Sequence, residues 1–504
     1  MRARRSTDMR RFALTALAVL LAGCTLGPDY RRPAVDVMPS YRFEERETRD
    51  TANTDWWKEF QDPVLDSLIA EALANNRNVR IAAANIDQAA GVLMQTRAPL
   101  FPQVSYSGSA TRRRASERGS DVLSGFVSNP RNSFELLAGA NWEIDLWGRI
   151  RRLSEAARAN LLASEEARRG VVLSLVASVA GTYIQLRGLD DQLEISRRTL
   201  AVYGESLRLF ELQFAHGQVS QMTVEQARSQ YETAAATIPQ IESQIAQTEN
   251  GLSTLLGRNP GPVDRGKSIR ELTPPAIPSG LPSQLLERRP DLAQAEQNLI
   301  AANAQIGAAK ALYFPAISLT AALGTQSSEL SDLFKGPART WSYAGSFTGP
   351  IFTAGAIAGQ VKQAEAMQKA ALESYQNAIL NAFSDVESAL VARRKLSEQL
   401  EAQEALVRTL KEYDRLAWLQ YNGGYTPYLT VLTAETQLFP AELTTSEVRT
   451  ALMAAYVNIY KVMGGGWVNR ADALTREAPA AAPLGLDPPA AAASTASSKA
   501  KTEE

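Results

Sequence analysis

Between residues 133 and 146 apolar and polar positions alternate. Phe134, Leu136, Ala138, Ala140, Trp142, Ile144 and Leu146 fall on one parity, with Ser133, Glu135, Asn141, Glu143 and Asp145 on the other. A period of two is the signature of a strand with one apolar face. Three shorter runs repeat it: Val104, Tyr106, Gly108, Ala110; then Ile317, Leu319, Ala321, Leu323; then Trp341, Tyr343, Gly345, Phe347. The pattern predicts strands over 103–112, 133–146, 316–324 and 341–352. Each is about the length that crosses a bilayer as a tilted strand. The apolar parity, which includes Trp142, Ile144, Trp341 and Tyr343, would be the lipid face.

The rest of the chain follows a helical period. Two proline-free windows of equal length, Arg149 to Phe214 and Ala356 to Tyr421, are rich in Ala, Glu, Gln, Arg and Leu. In the first, Val172, Val179, Leu186, Leu193, Leu200, Leu207 and Phe214 recur every seventh residue, one stripe of a coiled-coil seam. A helix of this length spans about 100 Å, several times the bilayer core, and so projects into water. "FAHGQVS" and "YNGGYTP" follow the two windows, where Gly217 and Gly424 can adopt positive φ and end a helix. Return helices are expected from Gln221 to Leu256 and from Tyr428 to Met463. Shorter ones are expected from Val64 to Arg97 and from Gln284 to Lys310, with Asn78 and Asp291 at matching places.

These elements occur twice. "APLFPQVSYSGSA" at 98–110 parallels "ALYFPAISLTAAL" at 311–323, an offset of 213, whereas Gly148 and Gly355, and "LQFAHG" and "LQYNGG", are 207 apart. An insertion in the polar stretch 112–132 accounts for the drop. The chain thus divides into an N-terminal signal (1–23), a segment 24–60, a first repeat 61–257, a linker 258–283, a second repeat 284–467, and a C-terminal segment 468–504. The last ends in an Ala-, Pro- and Ser-rich tail with a disordered composition.

The signal rests on five arginines followed by the apolar run Phe12 to Ala22, too short to span a bilayer. Next comes Cys24, the only cysteine. Leu21-Ala22-Gly23-Cys24 resembles the bacterial lipoprotein box, in which the cysteine becomes the acylated first residue. Thr25 stands where Asp would imply inner-membrane retention, so the resemblance favours the outer membrane. Removing residues 1–23 takes five of 53 basic and one of 54 acidic residues and leaves a formal charge of −5. No nucleic-acid footprint follows.

Catalytic and metal-binding patterns are missing from the sequence. The single histidine, His216, sits in a polar turn, and there is no phosphate loop, GxGxxG, HExxH or CxxC. None of the acidic residues stands out by an apolar setting. No enzyme, cofactor or metal site is expected. Four strands cannot close a barrel, and an open edge in lipid leaves backbone groups unsatisfied. Three copies would supply twelve strands, an even number in the usual range. Two other readings stay open: a lipid-anchored coiled-coil tether without a pore, and a periplasmic hydrolase.

The sequence also resembles the TolC-like outer-membrane efflux channels, in particular the lipoprotein subgroup serving resistance-nodulation-division pumps. In chain order the markers are "GCTLGPDYRRP", "DWWKEFQDPVLDSLIAEALANN", the first Phe-Pro pair, "DLWGR", "RRPDLAQAE", the second Phe-Pro pair and "MGGGW". The resemblance implies a mainly α fold with a membrane β-barrel part, made by a homotrimer. Twelve shared strands would continue into a long α-helical coiled-coil barrel encircled by an equatorial belt. It implies a passive duct for drugs or other small molecules, energised by an inner-membrane transporter through a periplasmic adaptor. The adaptor would meet the tips Gly217, Val219, Ser220, Gly424, Tyr425 and Thr426. Tyr421 and Leu429 match the family's constriction residues, while Thr223, Thr430 and Thr433 occupy places where relatives often carry aspartate. An uncharged gate is expected.

Overall fold

The computed structural model describes residues 25–35, 37, 38, 40–42, 55–116, 129–277 and 282–465. The expected signal, Cys24 and the C-terminal tail lie outside these. Along the chain run α1 (Pro63–Asn75), α2 (Arg77–Arg97), β1 (Gln103–Arg113), β2 (Arg131–Ile144), α3 (Arg149–Ala215) and α4 (Gln221–Leu256). The same order then recurs as α5 (Pro282–Arg288), α6 (Pro290–Ala311), β3 (Ala316–Ser327), β4 (Arg339–Thr348), α7 (Ala356–Asn422) and α8 (Tyr428–Val462). Residues 114–130 join the first strand pair and 328–338 the second. The first connection is longer by six residues, the drop in repeat spacing.

Each short helix expected as one piece is two. Asn76 interrupts the first with an extended ψ of 132°, and its side chain accepts from the N–H groups of Asn78 and Val79 at 2.8 and 3.2 Å, capping α2. In the second half the break falls 213 residues later at Arg289, whose extended backbone suits a residue that precedes proline. The long helices α3 and α7 both start behind a left-handed glycine, Gly148 (φ 77°) and Gly355 (φ 87°). Gly148 has no capping side chain, so Asp145 reaches forward instead. Its carboxylate accepts from Ile150 N at 3.0 Å and Arg151 N at 2.9 Å. That duty ends β2 at Ile144, two residues short of the expected boundary. β4 stops at Thr348 and not at 352, since Pro350 offers no N–H to a ladder.

The sheet order is β1-β2-β3-β4, antiparallel throughout. Below it, the core sits midway along the long helices. Trp56, Phe60, Leu65 and Ile69 bury against Val176, Val179, Tyr183 and Leu186 of α3, joined by Ile269 and Leu272 of the linker and Tyr460 of α8. Trp56 stacks on Tyr460 at 4.9 Å. A second cluster packs Leu292 and Leu299 of α6 on Tyr375, Ile379 and Phe383 of α7. The N-terminal segment and the linker therefore wrap the helices at their waist. Asp62, fully buried, ties that wrap together by accepting from the Tyr183 hydroxyl at 2.7 Å and Lys267 N at 3.1 Å. The heptad stripe of α3 is buried at Val172, Val179 and Leu186, half-buried at Leu193, Leu200 and Leu207, and exposed at Phe214. Toward the tip the buried seam steps back to Thr199, Tyr203, Ser206 and Phe210.

Candidate functional site: an apolar sheet and two helical tips

The strand registers bring the four alternating runs onto one face. Tyr106 pairs with Ala138, Ala138 with Leu323, and Leu323 with Trp341; one step along, Val104, Ala140, Ala321 and Tyr343 line up in the same way. This face is bare, with Tyr106 88% and Tyr343 79% exposed, and the rings of Trp341 and Tyr343 stack at 5.7 Å. The opposite face carries Ser105, Ser107, Gly139, Asn141, Ser318, Thr320, Ser342 and Ser346. An apolar face of this size turned outward marks a surface that meets lipid or protein.

Residues 25–29 are strapped to the junction between sheet and helices. Leu26 N donates to the carbonyl of Trp147 at 3.2 Å, Arg152 donates to Leu26 O at 3.1 Å and to Asp29 at 2.7 Å, and Asn303 donates to Pro28 O at 2.9 Å. Gly27, at φ 95°, lies against the backbone of Gly307 so closely that neither position has room for a side chain. Thr25 packs on Gly148. The chain next to Cys24 is thus held where β2 passes into α3, although Cys24 itself lies outside the described residues.

At the far end both turns use one device. Gly217 N donates to Phe214 O and Gln218 N to Gln213 O; Gly424 N donates to Tyr421 O and Tyr425 N to Gln420 O, all at 2.8–2.9 Å. These are paired Schellman closures, with Gly217 at φ 73° and Gly424 at φ 74°. Ser220 then caps α4 by accepting from Thr223 N at 3.4 Å, and Pro427 precedes α8. Val219 is half-buried and Tyr425 is 85% exposed.

The profile described as "Outer membrane efflux protein" matches residues 68–258 and 281–465. The chain belongs to the outer membrane efflux protein family. It is 36% identical over 482 residues to the probable efflux pump outer membrane protein TtgC of Pseudomonas putida, covering 94% of this chain and 99% of TtgC. It is 35% identical over 457 residues to the probable outer membrane lipoprotein SilC of Salmonella typhimurium, covering 89% of this chain and 97% of SilC. The crystal structure of the open state of the MtrE outer membrane channel of Neisseria gonorrhoeae superimposes with a TM-score of 0.79 at 31% identity, over 88% of this chain and 99% of MtrE. The protein is an outer-membrane efflux channel.

Within one copy of this efflux channel the five expected gate residues lie near the tips on three helices, Tyr421 on α7, Leu429, Thr430 and Thr433 on α8, and Thr223 on α4. Tyr421 turns into the protomer, its ring 6.1 Å from Phe210, 6.0 Å from Trp418 and 5.9 Å from Tyr428. Burial raises its phenol above the ordinary range. Leu429 and Thr433 share an exposed face of α8 one turn apart, and Thr433 donates its hydroxyl to Leu429 O at 2.7 Å. Thr430 is half-buried on α8, while Thr223 is half-buried in the first turn of α4, its hydroxyl 3.3 Å from that of Ser220.

Two features escaped the sequence reading. The tip is filled by an aromatic cluster of Phe210, Trp418, Tyr421 and Tyr428, with Tyr428 4.4 Å from Phe210. The expectation that no acid has an apolar setting is also corrected, because Glu435 is only 4% exposed. Burial and the charge of Asp414 push it up to about 7. The signal was available only in part: Glu435 follows Ala434 and falls one heptad after Tyr428 on the inward stripe of α8.

Proposed function

We propose that three copies of this chain close their sheets edge to edge into one twelve-stranded barrel, and that the helices α3, α4, α7 and α8 of each copy continue it as a tunnel. The duct is passive and needs no cofactor. Drugs or other small molecules enter from an inner-membrane resistance-nodulation-division transporter through a periplasmic adaptor seated on Gly217, Val219, Ser220, Gly424, Tyr425 and Thr426. Cys24 carries acyl chains beside the barrel foot, and Leu429, Thr430, Thr433 and Thr223, backed by Tyr421, form an uncharged constriction.

The observation that carries this reading is the sheet: four strands present one continuous apolar face, while β1 and β4 remain as edges. Backbone groups on an edge cannot remain unsatisfied in lipid, so the sheet requires partners, and twelve strands lie within the even-numbered range of membrane barrels. A lipid-anchored tether without a pore would have no use for such a face. Deletion of the gene tests the function. The strain should gain sensitivity within a broad drug and dye panel and accumulate those compounds, with recovery from a plasmid copy. Unchanged sensitivity across the panel, with the cognate pump expressed, would contradict the efflux role.

A further inference from the structure

Glu435 lies two turns from the start of α8, where α3, α7 and α8 meet. Its Oε2 is 3.4 Å from the Tyr428 hydroxyl, and its backbone carbonyl accepts from the Tyr203 hydroxyl of α3 at 3.1 Å. Its Oε1 is shut off from solvent and makes no well-aligned hydrogen bond, and the same holds for Oδ1 of Asp414 on α7. Both residues line one cavity of about 200 Å³ between the three helices. A buried carboxylate oxygen with no donor is costly, and two on neighbouring helices repel each other, unless one of them carries a proton.

The surrounding groups leave that proton as the remedy. From α3 come Arg198 and Tyr203, from α7 Lys411, Asp414 and Trp418, and from α8 Tyr428, Glu435 and Glu442; Trp418 and Tyr428 interact favourably with the Glu435 carboxylate but do not offset its burial. Arg198 and Lys411 are both engaged by Glu442, at 3.1 and 2.8 Å. Burial and the nearby acids push Tyr203 and Tyr428 well above the ordinary phenol range, so both act as neutral donors.

We propose that Glu435, beside Asp414, forms a proton-operated clamp between three helices: a proton held on its buried carboxyl keeps α3, α7 and α8 together, and its loss to solvent loosens their packing near the tips. The clamp stands on the packing of one chain and not on the duct reading. Burial also raises Asp414 above the ordinary carboxylate range. Glu435 titrates at about 7 when folded against an ordinary 4.5. Its folded value is the higher one, so the folded chain holds the extra proton between the two, and stability falls as pH rises through that window and stays low above it.

Hydrogen exchange of the full-length protein in detergent, at pH 6 and pH 8 and corrected for intrinsic exchange, tests this across residues 410–440. The parent should open severalfold more often at pH 8. Glu435→Gln supplies an amide N–H in place of the proton, so it should keep the pH 6 protection at both values. Asp414→Asn removes the second cause that raises Glu435, after burial, and should shrink the step and move it to lower pH, which keeps the test decisive if the Gln variant fails to fold. Equal protection of the parent at both pH values would overturn the clamp, as would a step that survives in Glu435→Gln or is undiminished in Asp414→Asn.

Discussion

The indole N–H of Trp147 donates to the carbonyl oxygen of Pro315 at 2.8 Å, and the Trp147 ring lies 4.7 Å from that of Phe314. Trp147 follows β2 and Pro315 precedes β3, so this contact pins the two halves together where the sheet meets the helices. The Trp147 carbonyl also receives Leu26 N, which brings the N-terminal strap to the same point. Trp147→Phe keeps a ring there and removes the indole bond. It should lower stability by about 1 kcal/mol, with a larger loss for Trp147→Ala. Thermal melting of the detergent-solubilised protein measures both.

On the sheet, Ala138 stands between Tyr106 and Leu323 on the apolar face, and Gly139 between Ser105 and Ala322 on the polar one. A charge facing mid-membrane lipid costs about 2–4 kcal/mol, and one facing a watery lumen far less. Ala138→Arg should therefore depress the yield of assembled protein. Gly139→Arg should be tolerated, since a Cβ there meets only ordinary contacts at 3.8 and 3.9 Å. Similar yields for the two variants would contradict the assigned faces.

Labelling with a fatty-acid analogue should mark the parent and not Cys24→Ser. The unlabelled variant should still sediment with membranes, because the barrel itself holds the protein there. The strap through Gly27, Asp29 and Arg152 predicts that the acyl chains enter the bilayer beside the foot of β2. Fluorescence quenching by lipid-borne quenchers near position 24 would check that depth.

The proposed gate residues Thr223, Thr430 and Thr433 carry hydroxyls where an acidic ring would attract multivalent cations. A trivalent cation on the periplasmic side should block the parent channel weakly, and Thr433→Asp, on the exposed face of α8, should create strong block. Tyr421→Ala should raise conductance by loosening the aromatic cluster around Phe210 and Tyr428. Strong block of the parent in single-channel recordings would remove the case for an uncharged gate.

Much of the fold was legible because its periods are long and clean. The alternating runs become the four strands, and the proline-free windows become α3 and α7 to within a residue. Boundaries set by individual groups were harder to read. Asp145 leaves β2 to cap α3, Asn76 caps α2, and Pro350 stops β4, each a local hydrogen-bonding event that periodicity does not encode. Strand register was not legible either, although the registers turn out to align all four apolar parities. Tyr421, Leu429 and the threonines could be picked out by resemblance, yet nothing in the sequence told that Tyr421 faces inward. The setting of Glu435 arises where residues 203, 414 and 435 meet from three helices, and no short stretch of sequence contains that meeting.

The central claim is that the chain forms a continuous water-filled passage. Recording current after reconstituting the purified, full-length protein into a planar bilayer tests it most directly. The account predicts discrete conductance steps, small while the tips are closed and larger in Tyr421→Ala. A bilayer that stays silent with correctly assembled parent protein and with Tyr421→Ala would contradict it.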